Sequence, residues 1–439
     1  MKKNYDVVII GAGVSGGGTA FALSAYSSIK NIVVIEKYPK PGQVNSHPLN
    51  NAQTRHNGSM ETNYDIEHAS YVHEAATMLT NYVDSKQDKS LSQKIQHMVM
   101  GVGEKEIEIL RKRFENPKFK KLYPDVKFVE KHELAQIEPN VIKERNSKEN
   151  ICALVSSEGR VINYQKLAES FLKDAQSCNP NLEIFFNTSV ISVKQVGDEF
   201  VVETDKGEIT AKTVEFDAGP YSLLFAQKLG YGKKYGILPV AGSFYSSQNP
   251  TLNGKVYTVQ ESIPFAAVHG DPDIVTKKTR FGPTAKILPL LERHKYKTFF
   301  DFIKNPLMSL KGIVSLLSLT RNKTLTVFML KNILFDIPIL GKYLFLKRVR
   351  KIVPSMKYGD ISLRKGTGGI RPQIINVETG ELMAGEFVIV EKNLIFNATP
   401  SPGASVSLQS GYKNAKRHVE FLGKGHIFYE DRFQKDLLQ

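Results

Sequence analysis

The sequence predicts an α/β fold: a Rossmann-like dinucleotide-binding domain assembled from separated stretches of chain, with an α+β domain inserted between them. Three observations predict it. A strand, a glycine turn and a helix open the chain as YDVVII, GAGVSG and GGTAFALSAY. A β-run that ends in small residues and turns into a helix appears mid-chain as TVEFDAGPYS, and again near the end as NLIFNATPSPGASVSLQSGY. Strand, small residues and helix in that order, three times over, describe one nucleotide-binding sheet visited three times by the chain.

In the first unit Gly11 permits the tight turn, Gly13 lets the backbone approach a pyrophosphate, and Gly16 lets the helix pack closely on the strand. Ala12, Val14 and Ser15 complete the loop, and the helix directs its free N–H groups at the phosphates. The second strand, NIVVIEK, ends in Glu36 and Lys37, with Glu36 twenty residues beyond Gly16. A carboxylate there accepts hydrogen bonds from ribose hydroxyls and repels a 2′-phosphate. All these parts fall in order within one unit of about 30 residues, which separates this GxGxxG from an ordinary glycine-rich turn. No second fingerprint follows, because MGVGEKE lacks the third glycine and GTGG precedes no helical run. One dinucleotide is expected.

Directly after this unit, residues 48–64 read PLNNAQTRHNGSMETNY. So polar a run beside a nucleotide unit can line the space between cofactor and substrate, with Asn50, Asn51, Ala52 and Thr54 toward the cofactor and Arg55 or His56 toward the substrate. The alternative is a surface loop, rich in Asn and Gly for turn reasons.

From residue 181 onward apolar and polar residues alternate through short runs, with turns at VGD and DKG. This is an antiparallel meander that opens near Val190 and returns to the nucleotide domain at Ala218 and Gly219, small enough for close approach to the cofactor. A structural βα turn is the alternative reading of that return. Near the end, Pro402, Gly403, Ala404 and Ser405 lead into a helix expected to begin around Gly403. Its positive N-terminal end would face the cofactor. The nucleotide domain then comprises residues 1–80, 150–222 and 360–439, and the second domain residues 81–149 and 223–359.

The 439 residues suffice for two domains, and 41% hydrophobic residues with 10% aromatics allow ordinary cores. Cys152 and Cys178 have no CxxC spacing and no nearby histidine cluster, so neither a disulfide framework nor a metal site is expected, and a reducing compartment is. The start MKKNYDVVIIGAG has too short an apolar run for a signal peptide. No window reaches the roughly 18 apolar residues of a spanning helix.

The succession GAGVSG, Glu36, NNAQTRHNGSMETNY, FDAGPYS, SIPFAAVHGDPD, RFGPTAKILPL, GGIRPQ and ATPSPGAS resembles membrane-associated FAD enzymes that oxidise 2-hydroxy acids. The stretch NNAQTRHNGSMETNY looks most like the malate:quinone oxidoreductases, whose loop there is of NNAGTGH type followed by Met-Glu-x-Asn-Tyr. Gln53 and Arg55 stand where that pattern has glycines. L-2-hydroxyglutarate dehydrogenase is a close relative, and PFAAVHGDPD and GGIRPQ fit both families equally. Residues 75–150 and 295–355 carry no motif of either. The resemblance implies a fold of the glutathione reductase/D-amino acid oxidase type, FAD as the dinucleotide, and (S)-malate or a similar 2-hydroxy dicarboxylate as substrate. It also implies a membrane quinone as electron acceptor and a peripheral place on the cytoplasmic side of the inner (plasma) membrane. No cysteine lies near a flavin segment, so FAD is expected without a covalent link, a histidyl link being the alternative. Asn50, Asn51 and Thr54 would then hold the isoalloxazine edge.

Oxidising a secondary alcohol by hydride transfer to flavin N5 needs a base for the hydroxyl proton and cations for the carboxylates. His269 in VHGDP is the first candidate base, matching the histidine that ends the relatives' GVH-type strand, with Asp271 to orient it. His56 is the competing base. Arg371 in GGIRP offers a bidentate fork for a substrate carboxylate, while Gly368, Gly369 and Ile370 bring the backbone close to the flavin. The arginine of the equivalent GxRP turn in similar oxidases plays this part. Arg280 and Lys286, flanking FGPTAK, are candidates for the second carboxylate; solvated surface charge is the alternative for each.

The formal charge is +15, and residues 299–356 hold ten Lys or Arg against two Asp. Leu310, Ile313, Val314 and Leu317 fall on one helical face, as do Leu330, Ile333 and Leu334, with cations between and at the ends. Such faces suit helices lying in the interface of an anionic membrane, where a lipid-soluble quinone is within reach. An amphipathic cap packed on its own domain is the alternative. A nucleic-acid-modifying flavoprotein fits less well, because the charge is interleaved with Leu, Ile and Phe rather than arranged as a basic stripe with a recognition motif. No nucleic-acid partner is expected. A flavin-binding scaffold without turnover is disfavoured by the His and Arg candidates.

Overall fold

The computed structural model describes residues 3–260, 268–305, 308, 312, 314, 327, 331–332, 334–335, 337, 339–383, 385–400 and 402–439. Strand β1 (Asn4–Ile10) places Val7, Val8 and Ile9 fully inside, because a central parallel strand is covered on both faces and has no polar side to present. It pairs in parallel with β2 (Ile32–Ile35) on one side and with Gly207–Phe216 on the other. Beyond these, Glu183–Phe185 joins β2 and Leu394–Asn397 joins Gly207–Phe216, again in parallel. The sheet is thus built from the start, middle and end of the chain. The meander Val190–Val196, Glu199–Thr204 and Gly207–Phe216 is antiparallel, and the last of its strands carries the chain back beside β1.

Helix α1 (Val14–Tyr26) is buried almost all round, between helices Tyr164–Cys178 and Ser407–Leu422. Its run of small residues is what lets helix Ser407–Leu422 come so near. A Cβ added to Gly18 would stand 2.9 Å from the Ser407 carbonyl oxygen, and one added to Gly411 would stand 2.5 Å from the Gly18 carbonyl carbon. A side chain at either position forces the helices apart and opens the core formed by Phe21, Leu23, Phe171 and Leu408, where each large apolar side chain contributes about 1.5–3 kcal/mol by burial. The helix expected around Gly403 begins at Ser407 instead: residues 402–406 form turns before it.

The second domain contains two further sheets. In the smaller one Tyr235–Ala241 pairs antiparallel with both Lys286–Ile287 and Ile370–Asn376. The larger has eight strands, among them Lys255–Thr258, His269–Pro272 and Thr279–Gly282, with β3 (Ser92–Val102) joined to the long strand Ile151–Ile162. Strand pairing therefore shifts the boundaries expected at 150 and 360. Strands Ile151–Ile162, Ile361–Leu363, Ile370–Asn376 and Leu382–Met383 pair in these two sheets and not in the parallel one, so the chain crosses to the nucleotide domain near residue 163 and again near residue 388.

Within the basic segment 299–356, helix Leu340–Ile352 turns Phe345, Leu346, Val349 and Ile352 onto the larger sheet, so the protein itself covers that apolar face. Leu310, Ile313, Leu317, Leu330 and Ile333 lie outside the described residues. Other apolar side chains of the segment, and Tyr296 just before it, face outward, with Tyr296, Phe300 and Ile339 at 77%, 64% and 78% exposure. No helix among the described residues is long and apolar enough to cross a membrane.

Candidate active site

A cavity of about 510 Å³ runs from the glycine loop along the parallel strand ends toward the second domain. Gly11, Gly13, Val14 and Ser15 line its near end. Gly11 has φ +113°, and a Cβ there would lie 2.4 Å from the Asp217 carbonyl oxygen, so only glycine fits this turn. The first turn of α1 has no side-chain cap apart from the Ser46 hydroxyl, which accepts from the Val14 N–H at 3.2 Å. Such an end is a ready anion seat. Gly16 and Ala12 do not line the cavity: Gly16 meets the Gly11 carbonyl behind it, and the Ala12 N–H donates to Glu36 Oε2 at 2.8 Å.

Glu36 accepts the Tyr38 N–H on its other oxygen at 2.9 Å, leaving lone pairs on both for a ribose diol. Burial raises its pKa, and these two N–H bonds with the Lys37 charge oppose that. Lys37 and the Tyr38 hydroxyl both bond the buried Glu292, which also lines this end of the cavity. The glycine cradle, the open helix end and the carboxylate at the end of β2 together fit a dinucleotide. Val190, Ala218, Gly219, Pro402, Gly403, Ala404 and Ser405 are all in the lining.

The polar loop 48–57 forms the wall at the far end. Asn50, Asn51, Ala52 and Thr54 line the cavity, but the Asn amides serve the loop itself. Asn50 Nδ2 donates to the Val44 carbonyl, and Asn51 Nδ2 to those of Asn45 and His47. Gln53 adopts φ +51°, as a glycine would, and is fixed there by its fully buried amide between the Pro48 carbonyl and Asp273. Gly369 passes so close that a Cβ would lie 2.7 Å from the Asn50 carbonyl oxygen.

His56 and Arg371 face this end. His56 Nδ1 lies 2.6 Å from Glu61 Oε1, while its backbone N–H donates to Ser405 Oγ at 2.9 Å. Burial alone would raise the Glu61 carboxyl; the His56 hydrogen bond and charge outweigh it and hold the pKa at about 2. With Nδ1 committed, Nε2 remains for a ligand. Arg371 lies on strand Ile370–Asn376, its pKa lowered by burial, and among the described residues its guanidinium forms no ion pair or side-chain hydrogen bond. Ile370 is held by Asn45 Nδ2 at its carbonyl.

Four sequence candidates lie elsewhere. Arg55 is buried with Nη1 on Thr80 Oγ1 and Nη2 on the Glu158 carbonyl, both at 2.5 Å, so it braces the loop from behind. Arg280 sits among Asp271, Asp273 and the Asn51 carbonyl, which compensate a charge the sheet has buried. Lys286 is an edge residue of the smaller sheet, paired with Ala241. His269 is 3% exposed, 3.2 Å from Asp271, with its ring tilted against that of Tyr257. None of the four is in the cavity lining.

The sequence reading missed Glu61, Glu292 and Asp217. Glu61 lies inside METNY, five residues beyond His56, a spacing that no helix or strand period marks. Two acids in the apolar strand TVEFDAG are a signal, since Glu215 and Asp217 occupy positions where burial is expected. No cluster of metal-ligating side chains occurs among the described residues.

The arrangement defines a flavoprotein oxidoreductase fold. L-α-glycerophosphate oxidase from Mycoplasma pneumoniae, solved with FAD bound, superposes over 96% of both chains with TM-score 0.67 at 19% identity. A profile of the malate:quinone oxidoreductase family matches residues 3–413. The chain is 39% identical over 451 aligned positions to a probable malate:quinone oxidoreductase of Campylobacter jejuni subsp. jejuni, covering 100% of both. It is also 39% identical to malate:quinone oxidoreductase of Helicobacter pylori, over 100% of this chain and 98% of that one. The chain belongs to the malate:quinone oxidoreductase family.

Proposed function

We propose that the protein uses FAD to oxidise (S)-malate to oxaloacetate and passes two electrons to a membrane quinone. The observation that carries the chemistry is Arg371, a partly buried cation whose pKa burial lowers and that faces the cavity without a carboxylate partner among the described residues. Such a group calls for an anionic ligand, and a planar fork suits a carboxylate. Family membership supports malate as the bearer of that carboxylate and quinone as the acceptor.

The chemistry FAD supplies when bound is acceptance at N5 of the hydride leaving C2 of the substrate. Arg371 would fix the C1 carboxylate. His56 Nε2 would take the hydroxyl proton as C2 is oxidised, and Glu61, ionised down to about pH 2, would hold the ring in the Nδ1–H tautomer and stabilise the imidazolium that forms. His56 is preferred to His269 as the base because it lines the cavity.

The proposed membrane contact rests on the outward-facing Tyr296, Phe299, Phe300 and Ile303 among Lys295, Lys297 and Lys304, and on Ile339, Leu340 and Tyr343 beside Lys342 and Lys347. Apolar side chains bordered by cations suit a peripheral place on an anionic, cytoplasmic-side leaflet. Anaerobic stopped-flow bleaching of bound flavin by (S)-malate against L-2-hydroxyglutarate tests the reading. Faster bleaching by malate is expected; no bleaching by either would sink it.

A further inference from the structure

Strand Gly207–Phe216 carries Glu215 fully buried, and Asp217, 9% exposed, follows at its end. Glu215 Oε1 accepts from Thr19 Oγ1 at 2.9 Å and Asn414 Nδ2 at 2.6 Å, and Oε2 lies 2.9 Å from His418 Nε2. His418 Nδ1 is in turn 2.7 Å from Thr213 Oγ1. Asp217 Oδ1 accepts from Asn397 Nδ2 at 2.8 Å, while Oδ2 is buried with no ordinary donor near it. Glu215 and Asp217 are two residues apart along one strand direction, so their carboxyls project to the same face of the sheet. Two buried carboxylates so placed repel each other, and a proton on one of them relieves the pair.

The proton's place follows from the partners. Glu215 already receives three donors, an environment that favours the ionised form, whereas Asp217 receives one. The titration directions agree. Burial and the adjacent Glu215 charge raise Asp217 well above the usual carboxylate range, and the His418 contact keeps Glu215 low despite burial. The ionisable groups facing the pair are the two acids and His418. Helix α1 contributes Thr19, strand Leu394–Asn397 contributes Asn397 and helix Ser407–Leu422 contributes Asn414, none of which titrates.

Asp217 also lines the cavity, with its own backbone against Gly11. An ionised carboxylate there would oppose the phosphates that the glycine loop is shaped to hold. We infer that Asp217 is a neutral carboxylic acid in the working protein, part of the seat for the dinucleotide phosphates, and that the proton it carries lets an acidic residue occupy that place. The inference about phosphate binding rests on the FAD reading; the proton on Asp217 does not.

Two measurements test it. Infrared difference spectra of the apoprotein at pH 7 should contain a protonated-carboxyl C=O stretch that Asp217→Asn removes; its absence from the wild-type protein would overturn the inference whatever the cofactor. FAD titrations followed by flavin fluorescence should show Asp217→Asn binding within about threefold of wild type at pH 6–9, as a neutral isostere should. Glu215→Gln should weaken FAD about tenfold or more at pH 8 relative to pH 6, because Asp217 then ionises without a charged neighbour, and Glu215→Gln/Asp217→Asn should regain the affinity. A tenfold loss in Asp217→Asn at every pH would refute the neutral-acid role. Should FAD fail to bind the wild-type protein at all, the proposed function falls, while the infrared band still decides whether the proton is there.

Discussion

His56 and Glu61 form a hydrogen-bonded pair, Nδ1 to Oε1 at 2.6 Å, anchored at its other side by the His56 N–H on Ser405 Oγ. The pair fixes both the ring's orientation and its tautomer. His56→Gln should therefore slow flavin reduction by about 10²–10⁴-fold with FAD still bound, read in single-turnover stopped flow. Glu61→Gln should cost less, and Glu61 should contribute no acidic limb to the wild-type pH–rate profile above about pH 2, because its carboxylate stays ionised down to there. Loss of reduction in His269→Gln but not in His56→Gln would reverse the assignment of the base.

Removing the fork of Arg371 tests the substrate carboxylate. Arg371→Ala should lower kcat/KM for malate by about 10²-fold or more, mainly through KM, and Arg371→Lys should recover part of it by restoring charge without the bidentate geometry. An unchanged KM in Arg371→Ala would take the residue out of the substrate site.

Glu292 joins the end of β2 to the chain that leads into the exposed Tyr296–Ile303 stretch, through Lys37 and Tyr38. Glu292→Gln should speed release of FAD from the holoprotein by about tenfold, the equivalent of one charge-assisted hydrogen bond of ~1.4 kcal/mol. Free flavin fluorescence after dilution gives the rate directly.

Glu138 is buried, accepts the Asn253 and Gly254 N–H groups on one oxygen and leaves the other without a donor. Burial pushes its pKa up to about 7, against the two N–H bonds. The folded state thus binds more protons than the unfolded state between the ordinary carboxyl pKa and 7, and stability must fall as pH rises through that window. Glu138→Gln should be neutral at pH 5 and stabilising by ~1–3 kcal/mol at pH 8 in urea unfolding. A difference that does not vary with pH would remove Glu138 as its source.

Substituting Phe300, 64% exposed, tests the proposed membrane face. Phe300→Asp should cut binding to vesicles of mixed anionic and neutral phospholipid by about tenfold or more, since it removes apolar burial and adds a repelled charge. Equal sedimentation of both proteins with the vesicles would exclude this residue from the contact.

The glycine loop, Glu36 and the cavity-lining runs at Ala218–Gly219 and Pro402–Ser405 were legible because a local pattern sets each of them: a turn that excludes Cβ, a strand that ends in an acid, small residues before a helix. What residues 55, 269 and 280 do was not legible. Charge and type are the same whether an arginine faces a ligand or a buried carbonyl, and only the pairing of strands far apart in sequence decides which. The same holds for the domain boundaries. Ile151–Ile162 begins and ends in apolar residues that either sheet would accept, and its partner Ser92–Val102 claimed it. Gln53 illustrates the converse. The loop kept a glycine-like conformation there without glycine, because a buried amide secured it from the second domain.

The Gly18–Gly411 crossing has a temporal side. A ribosome delivers β1, the glycine loop and β2 well before strand Leu394–Asn397 and the helix that seats Gly411 on Gly18. Contacts of such sequence separation cannot begin to repay their loop-closure entropy until the intervening chain is available. The nascent chain must therefore wait, with this βαβ unit unsheltered on one flank, until the Ser407–Leu422 helix has been made. Cofactor uptake becomes a checkpoint on synthesis through that helix: a chain terminated before Ser407 should emerge colourless and be left to chaperones and proteases.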